Sequence, residues 1–261
     1  MIYGCRQNIL IKLDRMSTNP QGKVWENSGK YQGDILLDEE QVQGMVEDFA
    51  TGRNAYTWPN TKWPSNTIVY EFAVGHFIFF YAELNEFFSS LIPAFNDGCY
   101  AHVGYWATRG VHTLNLAWPS CSLHTTIVHE WLHIIGFLHM QSTHNRDDYV
   151  RIMWQNIWPG MEHNFDKYSA ALVSNLGLPY DYASCMHYGG YGFSINGQPT
   201  MDHAGVMGQQ EWVTGWDWQR VNRHYNCPGA WSEELVQTLE AEPAQEPLEQ
   251  PKEEQPMEEQ P

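Results

Sequence analysis

Three histidines and a carboxylate fall within one short stretch, His129-Glu130-Trp131-Leu132-His133-Ile134-Ile135-Gly136-Phe137-Leu138-His139. Their spacing asks for a helix. Residues four apart share a helical face, offset by only about 40°, so His129 and His133 can offer imidazole nitrogens to one ion. Glu130 stands roughly 100° from His129 and 60° from His133 around the axis. That places it beside a metal but not on it, where a base would deprotonate a metal-bound water. Gly136 tolerates φ > 0 and can end the helix, and the turn would bring His139 round as a third ligand. Three protein ligands leave one position open for water, which marks a catalytic site and not a structural one. The plainer alternative is an amphipathic helix with Ile127, Val128, Trp131, Leu132, Ile134 and Ile135 as its core. The addition of Gly136 and His139 at this spacing favours the metal.

The chain has 261 residues, enough for one sizeable core or two small ones. Its net charge is −17, from 14 Lys+Arg against 31 Asp+Glu. Nucleic acids and anionic membranes require a cationic surface, so neither is an expected partner. From Gly229 to the end there are ten Glu and one Lys, so nine of the seventeen net negative charges sit in the tail. No stretch approaches the roughly 18 apolar residues of a spanning helix. The opening residues, Met1 to Asn8, do not read as a signal peptide with an apolar core. Five cysteines is an odd number, so at least one is unpaired within the chain.

Residues 1–53 are polar and weakly patterned, with a loop-like Ser17-Thr18-Asn19-Pro20-Gln21-Gly22 and a hint of helix from Asp38 to Ala50. The segment is too poor in apolar residues to form its own core. Within it, Tyr31-Gln32-Gly33-Asp34-Ile35 taken alone is a turn with a solvated aspartate. Thr67 to Phe72 reads as a strand after the Trp63-Pro64-Ser65-Asn66 turn. Phe77 to Phe88 has helical spacing of aromatics, and Asn96 to Gly110 suggests short strands with glycine turns. Val111 to Ala117 alternates with period two, as a half-buried strand does. Ser122 or Thr125 is available to cap the metal helix. After His139 the chain is loop-rich, punctuated by Pro159-Gly160, Pro179, Gly189-Gly190 and Gly197. Asp217 to Asn226 is the clear later helix, Pro228-Gly229 stops it, and the Pro/Glu/Gln tail has no apolar mass to bury.

These motifs, in this order, resemble the astacins, metzincin zinc endopeptidases. The metal stretch continues through Arg146-Asp147-Asp148-Tyr149, similar to the family's Arg-Asp-x-Tyr extension. Ser184-Cys185-Met186-His187-Tyr188-Gly189 resembles its Met-turn with the following tyrosine, and Trp63-Pro64, Phe193 to Gly197 and Asp217 to Cys227 match further. The resemblance covers roughly residues 31 to 228 and is nearest to the hatching-enzyme branch. It implies an α+β, two-lobed metzincin fold: an upper lobe with a twisted sheet and the zinc helix, and a loop-rich lower lobe. It implies one zinc ion on His129, His133 and His139, with Glu130 as general base and then proton donor to the leaving amine. Tyr188 would swing from zinc to hydrogen-bond the oxyanion, and Met186 would floor the metal. His144 and His187 lie off the motif and are structural.

The resemblance also divides the chain into a prosegment, 1–53, a catalytic domain, 54–228, and a disordered acidic tail, 229–261. Asp34 looks like the prosegment aspartate that takes the place of water on zinc, and Arg53-Asn54 like the cleavage junction. Thr113, Leu114, Asn115 and Leu116 resemble the edge strand that binds an extended peptide antiparallel, by β-augmentation. Cys99 and Cys121 match a family disulfide, and the expected product is a secreted, latent protease acting on protein or peptide substrates. Two positions depart from the family. Met140 stands where a glutamate normally follows the third histidine, and Cys227 lacks its usual mate before the first strands. The rival expectation from another class is a non-catalytic secreted or egg-envelope protein that keeps zinc for structure; the intact Glu130 counts against it.

Overall fold

Strands precede the metal helix and irregular chain follows it, as the change of texture at His139 leads one to expect. The computed structural model describes residues 2–3, 29–39, 41–43, 62–73, 77–81, 98–117, 120–121, 123–170, 173–202, 207–209 and 211–232. The upper part is a six-stranded sheet with one helix packed on it. Its strands are β1 (Ile2–Tyr3), β2 (Ile35–Leu36), β3 (Thr67–Ala73), β4 (Phe77–Tyr81), β5 (Cys99–His102) and β6 (His112–Leu116), ordered β1-β3-β4-β6-β5-β2. Neighbours are antiparallel except for β2, which runs parallel to β5 with Ile35 opposite Ala101 and Leu36 opposite His102.

Two sequence expectations are corrected here. Phe77 to Tyr81 is a strand, not the start of a helix. Five consecutive β-favouring residues lie between antiparallel neighbours on both sides, and that pairing overrides the helical spacing. The remainder of the expected helix falls outside the described residues. Thr113 to Leu116 is not an edge strand either. It lies between β4 and β5, and the free flank belongs to β5, which β2 covers.

Helix α1 (His124–Ile134) packs its inner face on this sheet. Ala101, Leu114 and Ile134 are buried together with Trp63, whose indole Nε1 donates to the carbonyl of Ile134 at 2.8 Å. The helix starts without a side-chain cap: Leu123 is its N-cap, so Thr125 does not serve, and Ser122 lies outside the described residues. Its other end is built as expected. Gly136 has φ 103°, its N–H donates to His133 O, and Phe137 N–H donates to Leu132 O. This pair of bonds is a Schellman turn, which only a residue content with φ > 0 closes without strain. The Cys99–Cys121 disulfide, with Cα atoms 5.7 Å apart, ties the start of β5 to the approach of α1. Closing a loop of that length contributes about 3 kcal/mol in the loop-entropy model.

Below the helix lies a second layer made mostly of turns and one-turn helices, with a small sheet of β7 (Arg151–Ile152) and β8 (Met201–Asp202). Met140, Val150, Ile152, Ile157, Phe165, Tyr188, Phe193 and Met201 form its core. Helix α2 (Gly215–His224) joins the layers, packing Val221 and Tyr225 against Val128 and Leu132 of α1 and against Met186. Arg146, almost wholly buried, donates to the carbonyls of Gln141 and Phe165 and so pins the chain after His139 to this core. The helix hinted at from Asp38 begins at Glu39 and includes Gln41–Gln43; its continuation, the acidic tail beyond Ser232 and the Arg53-Asn54 junction lie outside the described residues.

Several histidines are folded in as neutral groups. His112 Nε2 accepts the N–H of Trp106, and His102 Nδ1 accepts the N–H of Thr113, both at 2.9 Å. Burial, reinforced by the nearby Arg109 guanidinium, pushes His102 down to about 2 and His112 to about 3. Burial also pushes His224 to about 4. Unfolded histidines titrate near 6.5, so below that pH the unfolded chain binds more protons than the folded one and stability falls as pH falls. Each such histidine adds up to ~1.4 kcal/mol of loss per pH unit between its two pKa values. The urea midpoint should therefore drop steeply from pH 7 to pH 5; an unchanged midpoint would show that these rings are not held neutral.

Candidate active site

The three histidines of the motif converge as their spacing requires. His129 and His133 project from one face of α1, and the Schellman turn swings the chain back so that His139 joins them. The Nε2 atoms of His133 and His139 stand 3.1 and 3.3 Å from Nε2 of His129. Each Nδ1 faces a carbonyl-type oxygen: Cys185 O for His129, Phe137 O for His133, and Gln32 Oε1 for His139, at 2.7–2.9 Å. A carbonyl oxygen only accepts, so each Nδ1 must carry the proton, and the three Nε2 lone pairs are left pointing at one another. Such an arrangement is unfavourable unless a cation sits among them. Burial pushes His139 down to about 4 and lowers His133 as well, keeping both in the neutral form that ligation requires.

Asp34 completes the cluster from the N-terminal segment. Its carboxylate lies 3.0 Å from Nε2 of His129, 3.2 Å from Nε2 of His139 and 3.5 Å from Nε2 of His133. Ligands about 2.0–2.1 Å from a tetrahedral zinc stand about 3.3 Å apart; these separations lie close to that, and one donor atom from each of the four residues falls within 4.8 Å of the others, a cluster able to hold one ion. A tight turn delivers the aspartate: Gln32 and Gly33 have φ of 48° and 83°, and Ile35 N–H donates to Tyr31 O. The histidine partners outweigh burial and hold Asp34 well below the usual carboxylate range.

Glu130 is adjacent and differently treated. It is 1% exposed, and its Oε2 has no hydrogen-bond partner. Burial first, then the charge of Asp34, pushes its carboxyl well above the usual range. A buried carboxylate oxygen left unpaired beside a metal cluster is poised to take a proton.

Tyr188 packs at a tilt against His139, ring centroids 4.8 Å apart, and its hydroxyl donates to the carbonyl of Gln32. Met186 is buried beneath α1 among Val128, Leu132 and Val221. The turn that carries it is fixed by Asp217 of α2, which accepts from Ser184 Oγ at 2.5 Å and Cys185 N–H at 3.1 Å. Met140 is buried in the lower core, with its N–H on Met186 O. His187 bonds Tyr180 and the carbonyl of Tyr188, away from the cluster, and His144 is not among the metal-competent residues. Cys185 is a free, buried thiol, while Cys227 is disulfide-bonded to a mate outside the described residues. Thr113 to Leu116 is one strand removed from the free flank, so the strand beside the cluster is β5, with Ala101 N–H donating to Asp34 O at 2.8 Å.

Two residues central to this geometry were given no role from the sequence. Gln32 touches three parts of the site, bonding His139, Ser142 and Tyr188. Its proximity to Gly33-Asp34 is the only signal. Asp217 reads as a helix N-terminal acid, and nothing local says that it grips a turn 32 residues earlier.

A three-histidine site with an orphaned buried glutamate, set between a sheet and a loop-rich layer, defines a zinc-dependent peptidase. The particular family follows from comparison. Residues 78–226 match the model of the peptidase family described as Astacin. Zinc metalloproteinase nas-4 of Caenorhabditis elegans is 34% identical over 226 residues, 77% of this chain and 70% of that protein. Blastula protease 10 of Paracentrotus lividus is 32% identical over 232 residues, 76% of this chain and 38% of that protein. Human meprin A subunit beta is 33% identical over 221 residues, 77% of this chain but only 30% of its own length. Among solved structures, high choriolytic enzyme 1, a hatching enzyme zinc-protease from Oryzias latipes, is 38% identical. It covers 50% of this chain and 65% of that one, with a TM-score of 0.46. The chain belongs to the astacin family of zinc metalloendopeptidases.

Metal removal tests the site independently of turnover. Chelation should lower the melting temperature by about 5 °C or more, and one equivalent of zinc should restore it, as expected for a tightly held ligand. A melting curve indifferent to chelation would mean that no ion bridges these residues.

Proposed function

We propose that this chain is a latent, secreted endopeptidase whose segment 1–53 blocks the zinc site until it is cut away at Arg53. The observation that carries the reading is the buried, unpartnered Oε2 of Glu130 beside the three-histidine cluster that Asp34 closes. His129, His133 and His139 would hold the zinc. Bound there, zinc supplies Lewis-acid activation of water and of the scissile carbonyl. Glu130 takes the proton of the attacking water and passes it to the leaving amine. Asp34 occupies the place a water would need, and its charge also weighs on Glu130. Its departure therefore frees the open position and lifts that repulsion together. Tyr188 is held by Gln32 O; once released, its hydroxyl is free to bond the developing oxyanion.

Substrate binding follows from the sheet. An extended peptide added to β5 in place of β2 would bond through main-chain groups, which favours no one side-chain sequence. The blocking segment runs parallel to β5, whereas an antiparallel substrate runs the other way. The blocking chain thus lies across the site in the wrong direction to be cleaved. Secretion is supported by the Cys99–Cys121 disulfide, which persists in oxidising compartments. No helix among the described residues is long and apolar enough to cross a membrane.

Two variants test the reading. Glu130→Ala in the cut chain should keep its zinc and lose hydrolysis of an unfolded protein by about a thousandfold or more, the scale of a lost general base plus its positioning of water. Substantial residual turnover would sink the mechanism. Asp34→Ala should leave the uncut chain measurably active. If that variant is as inert as its parent, Asp34 is not what keeps the precursor silent.

A further inference from the structure

Arg109 sits in the turn between β5 and β6, and its side chain is only 7% exposed. It stands 5.9 Å from the ring centre of Trp106. Its Nη2 donates to Asp38 Oδ2 at 2.6 Å and to Gln41 Oε1 at 2.8 Å. Both acceptors precede Arg53, and they form a reciprocal cap of their own. Asp38 Oδ1 accepts the N–H of Gln41, and Gln41 Oε1 accepts the N–H of Asp38. The remaining guanidinium nitrogens, Nε and Nη1, are buried with no hydrogen-bond partner. No described residue after Arg53 accepts a hydrogen bond from this cation. When segment 1–53 leaves, Arg109 loses both acceptors at once.

The position of this cation along the cleft is fixed by the strand it serves. Asp34 lies at the metal cluster, its carbonyl accepting the N–H of Ala101, and β2 then runs parallel to β5 with Ile35 opposite Ala101 and Leu36 opposite His102. Asp38 is four residues further on and reaches Arg109. Strand rise is about 3.3 Å per residue, so Asp34 to Asp38, with Ile35–Leu36 as strand between them, spans at most on the order of 13 Å along the cleft. A substrate bound antiparallel to β5 passes Arg109 before it reaches the metal. The residue beside Arg109 is then N-terminal to the cut.

We infer that Arg109 becomes a substrate-recognition group when segment 1–53 is removed, selecting an acidic side chain about four residues upstream of the scissile bond. The blocking segment supplies the chemistry by example, because a carboxylate already fills the position. An uncovered guanidinium with unsatisfied nitrogens accepts a carboxylate bidentately better than it accepts water. The role fits a chain whose body is otherwise acidic, since an acidic peptide needs one local cation to offset the general repulsion. The inference rests on the latent-protease reading and on β5 as the substrate strand.

The test uses the zinc-loaded chain cut at Arg53 and quenched peptides built on a cleavage site mapped in an unfolded protein. Peptides in each pair differ only by Glu or Gln at the third, fourth or fifth residue upstream of the cut. One of the three Glu peptides should show kcat/KM about tenfold above its Gln twin, the size of one charge-assisted hydrogen bond gained. The ratio should shrink in high salt, fall to about one in Arg109→Gln, and be partly kept in Arg109→Lys. Equal rates for every pair would overturn the inference and leave the protease intact. So would a Glu preference that survives Arg109→Gln, which would assign it to another cation. Hydrolysis of none of the peptides by zinc-loaded protein would refute the reading beneath it, and this inference with it. Should Arg109→Gln fail to fold, replacing Glu by Lys in the peptide puts the same question to the parent chain, and rates unmoved by that reversal would overturn the inference.

Discussion

Three imidazole lone pairs aimed at one point cannot be left empty, and much of this structure arranges for them to be aimed and then filled. Each ring is fixed by a hydrogen bond on its far side, and those bonds recruit distant chain: the Met-turn carbonyl of Cys185, the helix-ending carbonyl of Phe137, and the side chain of Gln32. The Schellman turn at Gly136 exists to return His139 to its partners. Trp63, locking the end of α1 to the sheet, fixes where that turn stands. The Cys99–Cys121 bridge holds β5 against the approach of the same helix.

Below the helix the same requirement works through Asp217. Its carboxylate caps α2 with Thr214 and at the same time takes the Ser184 hydroxyl and the Cys185 N–H. A helix N-terminus stabilises an acid, and here the acid passes that rigidity to the turn whose carbonyl orients His129. Asp181 and Arg220 pack round it, with Arg220 Nη1 3.6 Å from Asp181 and 4.0 Å from Asp217. The metal site is thus held by both layers, and the loop-rich lower layer needs few regular elements because buried polar contacts such as those of Arg146 take their place.

The N-terminal segment reaches this site by four kinds of contact at once. Asp34 enters the ligand cluster, Gln32 occupies Tyr188 and His139, and Asp38 with Gln41 holds Arg109. Strand β2 joins them into one piece of backbone laid on the free flank of the sheet. Each contact is of a chemistry that the proposed cleft uses on its own account: a zinc ligand, an acceptor for the tyrosine hydroxyl, a main-chain strand partner and a carboxylate for a cation. Under the proposed function, such a segment copies the substrate's interactions while reversing its direction.

Much of the site was legible because it is encoded locally. The positions of His129, Glu130 and His133 follow from helical periodicity, and Gly136 announces the turn by the dihedral it alone permits freely. The later helix was legible too, with Pro228-Gly229 stopping it, although it begins at Gly215 behind a Thr214 cap and not at Asp217. The family motifs extended this reach to the Cys99–Cys121 pair, which is bonded, to Asp34 and Tyr188, which lie against His139, and to Met186, which packs beneath α1. What sequence could not decide was strand order. Phe77 to Tyr81 has a helical spacing of aromatics yet pairs on both sides. Thr113 to Leu116 alternates like a half-buried strand and by resemblance was the edge, yet it lies inside the sheet, with β5 outside it. Period two is a property of one strand, whereas being an edge is a property of which distant segments arrive on either side. The same holds for Gln32 and Arg109. Their side chains are ordinary in sequence, and only the fold brings one against His139 across 107 positions and sets the other against Asp38 across 71.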